Sequence, residues 1–164
     1  MAKRRTRPAC VLVIHGPNLN LLGTREPGLY GRETLANIDA ELRALGAELG
    51  IVVEIFQSNH EGAIVDRIHA ARERCAGLIV NGGGLSHTSV VLRDAVTAVG
   101  LPTIEVHLTN THAREPWRHG SLLGGVCVGR IEGLGALGYR LALRALAERG
   151  SGHGNIGNAR PPGI

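Results

Sequence analysis

The sequence predicts a single α/β domain in which a doubly wound, five-stranded parallel sheet carries helices on both faces. Short apolar runs rich in β-branched residues alternate with longer segments of helical periodicity, the pattern of a sheet whose strands are linked by crossover helices. Aromatic residues make up only 2% of the chain, so the core must be built from Val, Ile, Leu and Ala, the composition of buried parallel strands under Ala-rich helices. A chain of 164 residues with 43% hydrophobic content is long enough for one substantial core and short for two.

The strands are expected at residues 11–14, 51–56, 78–80, 103–106 and 126–131. Helical periodicity fills 34–49, 63–75 and 89–99 between the first four, and 137–149 after the last. Thr34 marks the start of the first helix, Gly50 and Gly100 close two of them, and Pro102 blocks continuation of the third. This alternation fits a flavodoxin-like strand order. Residues 1–10 read as a basic flexible arm, 11–149 as one flavodoxin-like domain, and 150–164, which hold almost no large apolar residues, as a flexible tail.

The formal net charge of +4 suggests nucleic acid at first sight, but Lys3, Arg4, Arg5 and Arg7 in the arm account for all of it. A domain without net charge and poor in stacking aromatics is expected to bind no nucleic acid. The apolar run at 11–14 is broken by His15, Gly16, Pro17 and Asn18, so no secretion signal or transmembrane helix fits. Cys10, Cys75 and Cys127 show no metal-finger spacing and read as small buried hydrophobes in a reducing cytoplasm.

In open α/β sheets the ligand crevice lies at the carboxyl ends of the strands, where loops and helix N-termini converge. The segments that follow the strands here are HGPNLNLLGTREPGLYGR, QSNHEG, NGGGLSHTS and EVHLTNTHAREPWR, which concentrate acid-base and amide side chains at one edge. Tyr30, one of two tyrosines, lies between Gly28 and Gly31 in a loop that also holds Arg25, where it either caps a turn or serves the site. To serve as a base near neutrality its ionisation must be favoured by roughly 4 kcal/mol. One arginine at about 4 Å, with an effective dielectric near 20, supplies that order of energy. Arg25 and Arg114 are the candidates. Tyr139, on the last helix, is expected to pack.

Glu105 and His107 are two apart on a strand and leave the same face, so the carboxylate can hold the imidazole's tautomer for general-acid work, or the pair can be a structural hydrogen bond. Glu105, His107, His112 and His119 offer imidazole and carboxylate groups that suit zinc, but their spacing matches no HExxH or related helix motif and no metal is expected. His87 and Asp94 would share a helical stripe if a helix begins near Ser86, with Ser86 or Thr88 as its cap. Asn81 and the glycines after it either expose backbone N–H groups to an anion or hydroxylated ligand or form a purely structural turn. GLGALG at 133–138 fits the GxGxxG dinucleotide pattern, yet no second strand with an acidic end follows it. Close backbone packing is the better explanation.

Together, HGPNLNLLGTREPGLYG, QSNHEG, NGGGLSHTSVVLRDA and EVHLTNTHAREPWR resemble the type II 3-dehydroquinate dehydratase family over residues 11–149. The resemblance implies a flavodoxin-like fold, homododecamers built as a tetramer of trimers, no metal or organic cofactor, and dehydration of 3-dehydroquinate to 3-dehydroshikimate in the shikimate or quinate pathway. It implies that Tyr30, as tyrosinate, removes a proton beside the ketone to give an enolate. Asn18 would hold a water against that charge, Arg25 would assist on the lid loop, and His107, oriented by Glu105, would protonate the departing hydroxyl. Asn81, His87, Asp94 and Arg118 match positions that grip the substrate; Leu108 and Thr109 would offer backbone N–H groups to its carboxylate, and Arg114 would tune Tyr30. The stretch 119–125 departs from the family pattern.

Lys3 is the only lysine, and it precedes the first strand, so the Schiff-base route of the unrelated type I enzymes has no residue to carry it. Two alternatives stand beside this one: a flavodoxin-like module binding FMN, which needs aromatics to sandwich the flavin, and a non-catalytic assembly protein of the same fold.

Overall fold

A computed structural model describes residues 9–24, 26–30 and 32–151, with the side chains of Pro27 and Tyr30 not described. Most of the arm, Arg25, Gly31 and the tail from 152 onward lie outside the described residues.

The five strands are β1 (Ala9–His15), β2 (Ile51–Gln57), β3 (Gly77–Asn81), β4 (Thr103–His107) and β5 (Gly129–Glu132). All pair in parallel, in the order β2-β1-β3-β4-β5, which is the flavodoxin-like order. The helices are α1 (Pro27–Tyr30), α2 (Leu35–Leu49), α3 (Glu61–Ala71), α4 (Leu85–Thr88), α5 (Val90–Val99) and α6 (Leu137–Gly150).

The two-residue alternation of β1 sends Leu12 and Ile14 to one face and Val11 and Val13 to the other. On the first face they meet Ile64 and Ile68 of α3 and Leu92 and Val96 of α5. On the second they meet Ile38 and Leu42 of α2 and Leu143 and Leu146 of α6. Each such side chain removed from water contributes roughly 1.5–3 kcal/mol, so a strand apolar on both sides can only sit in the middle of two layers.

Local signals set most of the ends. The Thr34 side chain accepts from the Asn37 N–H and caps α2, while Gly50 and Gly100, both at positive φ, close α2 and α5. Three expectations need correction. The helix expected over 63–75 ends at Ala71, with turns after it. The strand expected over 126–131 begins only at Gly129, because Gly124–Val126 form a 3-10 turn. Most relevant to the site, no single helix carries His87 and Asp94: α4 ends at Thr88, and Ser89, in extended conformation, caps α5 by accepting from the Leu92 N–H. Ser89, rather than Ser86 or Thr88, is the cap.

The GLGALG segment behaves as close packing. Gly133 and Gly135 take positive φ, and a Cβ on Gly138 would touch Ile131 and Val106 of the sheet. Cys10 and Cys75 are buried as expected, whereas Cys127 is only partly so. Among the described residues no helix is long and apolar enough to cross a membrane.

A close backbone approach joins the ends of β1 and β3. The Gly16 N–H donates to the Asn81 carbonyl at 2.7 Å, and a Cβ on Gly16 would stand 2.4 Å from the Gly82 carbonyl oxygen. Gly16→Ala is therefore expected to cost about 1–3 kcal/mol by forcing these two chain segments apart, read as a lower urea midpoint.

Candidate active site

The winding direction reverses between β1 and β3: the chain leaves β1 for β2 on one side, then crosses back from β2 to β3 on the other, and a crevice opens beyond the carboxyl ends of β1 and β3. A cleft of about 140 Å³ occupies it. Its walls come from the turn after β1 (Pro17, Asn18, Leu19, Leu22), the end of β3 and the glycines after it (Asn81, Gly83, Gly84), and His87 of α4. His107, Leu108, Thr109, Thr111, Arg114 and Arg118 complete it from β4 and the turns that follow.

Asn18 stands at φ 70°, a left-handed conformation that Asn tolerates, and its N–H donates to Asn59 Oδ1 at 2.9 Å. The adjoining turn continues towards α1. Tyr30 is the last residue of α1, so the glycine-flanked segment expected to be a loop contains a short helix. The Tyr30 side chain and all of Arg25 lie outside the described residues.

His107 ends β4 with its Nε2 at 2.6 Å from Glu105 Oε1. Glu105 is wholly buried behind it and does not reach the cleft. It is thus a positioning residue that holds the His107 ring, leaving Nδ1 as the nitrogen for exchange with a ligand. Two groups that the sequence did not single out complete the support. The Ser121 hydroxyl lies 2.8 and 2.9 Å from the two Glu105 oxygens, and Arg130 Nε stands 3.9 Å from Oε2. Burial opposes the Glu105 charge, but the hydrogen bonds of His107 and Ser121 and the charges of His107 and Arg130 outweigh it and hold the carboxyl below its ordinary pKa.

A depressed carboxyl pKa contributes stability above the unfolded value that is lost as pH falls through the folded one. Ser121→Ala removes one donor, raising the folded pKa towards the unfolded one. It is expected to cost about 1.5–3 kcal/mol at neutral pH. Acid unfolding should begin at higher pH, which urea midpoints measured across an acid pH series check.

The His87 ring stacks near that of His107, with centroids 5.7 Å apart. Its Nδ1 lies 2.6 Å from the Gly120 carbonyl, which can only accept, so the hydrogen sits on Nδ1. Burial lowers the His87 pKa, and the neighbouring His107, Arg118 and Arg130 lower it further against the opposing Gly120 bond. The ring then offers Nε2 as an acceptor. The atypical stretch 119–125 therefore does structural work at the site, through Gly120 on His87 and Ser121 on Glu105.

Arg114 and Arg118 supply positive charge to the cleft, and Arg118 also donates to Glu115 at 2.9 Å while stacking over Trp117. Asp94 is exposed on α5 and does not line the cleft. Trp117 is 62% exposed and outside the lining, so it does not provide the flavin sandwich that the FMN alternative requires.

The four candidate metal ligands make hydrogen bonds within the protein. His112 binds Glu132 at 3.0 Å, and His119 lies 3.1 Å from the Arg114 carbonyl. Among the described residues one set of ligand atoms does converge, on Cys10, Glu54 and Cys75 at the opposite end of the sheet. Burial and the adjacent Cys75 raise the Cys10 pKa, and Glu54 is already paired with Arg67 and Arg74.

Residues 9–147 match the sequence pattern of the family described as Dehydroquinase class II. The chain belongs to that family. A relative from Jannaschia sp. named 3-dehydroquinate dehydratase is 53% identical over 149 residues, covering 91% of this chain and 98% of its own. One from Aspergillus terreus named Catabolic 3-dehydroquinase 1 is 56% identical, covering 85% and 92%. The solved type II dehydroquinase of Butyrivibrio crossotus superposes with a TM-score of 0.83 at 41% identity, covering 84% of this chain and 97% of that one. The type II dehydroquinase of Propionibacterium acnes gives 0.81, also at 41% identity, covering 84% and 95%. As a class II dehydroquinase, the chain departs from an FMN module in its cleft chemistry, which is amide, imidazole and guanidinium.

Proposed function

We propose that this chain is a 3-dehydroquinate dehydratase that eliminates water from 3-dehydroquinate to give 3-dehydroshikimate. The observation that carries the proposal is the meeting of Asn18, Asn81, His87, His107 and Arg118 in one cleft, with His107 held by buried Glu105, in a class II dehydroquinase chain.

Tyr30, ionised and favoured in that state by Arg25 and Arg114, removes a proton from the carbon beside the ketone, and the electron pair moves onto oxygen as an enolate. Asn18 holds a water that donates to that oxygen. When the enolate collapses, the carbon–oxygen bond to the neighbouring hydroxyl breaks, and His107 protonates the oxygen as it leaves as water. Splitting the elimination in this way replaces one difficult step with two acid-base steps, each stabilised by fixed donors. Asn81, His87 and Arg118 bind the substrate's hydroxyls and carboxylate, and the backbone N–H groups of Leu108 and Thr109 assist at the carboxylate. No metal or organic cofactor takes part.

The assembly is a homododecamer, a tetramer of trimers, working in the cytoplasm. Val90 and Val91 are 57% and 53% exposed on α5, and Asp94 on the same helix stands outside the cleft of its own chain, where it serves substrate only across a subunit boundary. Light scattering of the purified protein tests the state.

The deciding experiment is incubation with 3-dehydroquinate while the conjugated enone of the product is followed in the ultraviolet, with and without a chelator. Turnover unaffected by chelator is expected. Absence of turnover sinks the assignment, and loss of turnover on chelation restores a metal mechanism.

A further inference from the structure

Tyr139, expected to do no more than pack, is wholly buried with its hydroxyl engaged on two sides. Its oxygen lies 2.9 Å from His15 Nδ1 and 3.0 Å from Asn81 Nδ2. Beyond it, His15 Nε2 reaches Asp39 Oδ1 at 2.9 Å. Asp39 of α2, His15 of β1, Tyr139 of α6 and Asn81 of β3 thus form one hydrogen-bonded chain that ends at the cleft wall.

The direction of every bond follows from donor inventory. The Gly83 N–H donates to Asn81 Oδ1 at 3.1 Å, so the other end of the carboxamide, Nδ2, faces Tyr139 and donates to its oxygen. The buried hydroxyl hydrogen then needs an acceptor, and His15 Nδ1 is the one beside it. His15 Nε2–H in turn donates to the Asp39 carboxylate. Burial, with the Asp39 charge adding to it and the Asn81 bond opposing, raises the Tyr139 pKa and keeps the hydroxyl protonated.

Each group has one role and no alternative, which is what locks the carboxamide against rotation. Asn81 keeps one N–H and one Oδ1 lone pair uncommitted. A donor and an acceptor side by side are the complement of a hydroxyl, which both donates and accepts. Packing alone would be served as well by Phe, without a polar oxygen to satisfy in a core.

We propose that Tyr139, backed by His15 and Asp39, is a positioning residue that fixes the Asn81 carboxamide so that it binds a hydroxyl of the substrate. The proposal rests on the dehydratase assignment and extends it to residues that never touch the substrate.

The test is Tyr139→Phe in the full chain, with steady-state kinetics on 3-dehydroquinate and NMR of the Asn81 side-chain amide in the free enzyme. KM is expected to rise about 5–10-fold with kcat within about 2-fold, the scale of one hydrogen bond. The Asn81 amide should lose protection from hydrogen exchange. In an Asn81→Ala background, Tyr139→Phe should change KM less than about 2-fold, since the two act through one contact.

Unchanged amide protection, or an equal KM effect in both backgrounds, overturns the proposal. Lost protection with unchanged KM, in an enzyme whose wild type turns over, instead shows that Asn81 is held by Tyr139 yet does not bind substrate, and the binding half fails. Absence of wild-type turnover points to the dehydratase assignment, and the amide measurement still decides the lock. Should Tyr139→Phe not fold, Asp39→Ala at the half-buried end of the chain carries the test. Its KM should rise and be restored by Asp39→Asn, which retains the acceptor; an unchanged KM refutes the proposal.

Discussion

Tyr30→Phe is expected to lower kcat by about 10²–10⁴-fold while leaving KM within a few-fold, because under the proposed mechanism the substitution removes only the oxygen that accepts the proton and keeps the ring. The split between the two constants is the informative part. A residue that merely shaped the site would raise KM as well, whereas a base used only in the transition state changes kcat alone. Stopped-flow turnover with 3-dehydroquinate and equilibrium binding of the substrate to the variant give both quantities. A near-normal rate would reassign the base to another group at the cleft.

His107→Gln should produce a loss of the same order, about 10²–10⁴-fold in kcat, with stability largely retained. Glutamine has no transferable proton of suitable acidity, but its amide can still donate to Glu105. His107→Ala separates the two roles of the ring. It removes the proposed acid and also strands the wholly buried Glu105 carboxylate, with Ser121 and Arg130 as remaining partners. Stranding one member of a buried pair costs about 3–5 kcal/mol, an upper figure here because those partners remain. Comparing the two variants by kcat and by urea midpoint assigns acid function to one difference and structural support to the other. Equal stability of both would mean that Glu105 needs no help from the imidazole.

Much of the site could be read along the chain because parallel α/β topology places every strand's carboxyl end at one edge. Once strands were located near 11–14, 78–80 and 103–106, the polar residues after them had to converge. Asn18, Asn81, His87, His107, Leu108, Thr109, Arg114 and Arg118 do so. The Glu105 and His107 pairing was legible for the same reason, since two-residue spacing on a strand puts both on one face.

The misplaced features share a cause. His87 and Asp94 are spaced for one helix, but Ser89 adopts an extended conformation and starts a new helix, which a local periodicity count does not detect. The contact of Ser121 with Glu105 spans 16 residues, and that of His15 with Tyr139 spans 124. No periodic signal joins such pairs.

The sequence by itself determined the strands, the two-layer wrapping, the cleft edge and the acid-base inventory, because apolar periodicity and turn chemistry are local properties of the chain. Only the tertiary structure decided which polar groups stand behind that inventory: Ser121 and Arg130 on Glu105, Gly120 on His87, and Tyr139 with His15 and Asp39 on Asn81. Those partners are chosen by the low-dielectric interior, where each buried donor or acceptor must find its complement among whatever side chains the packing of distant elements brings within about 3 Å.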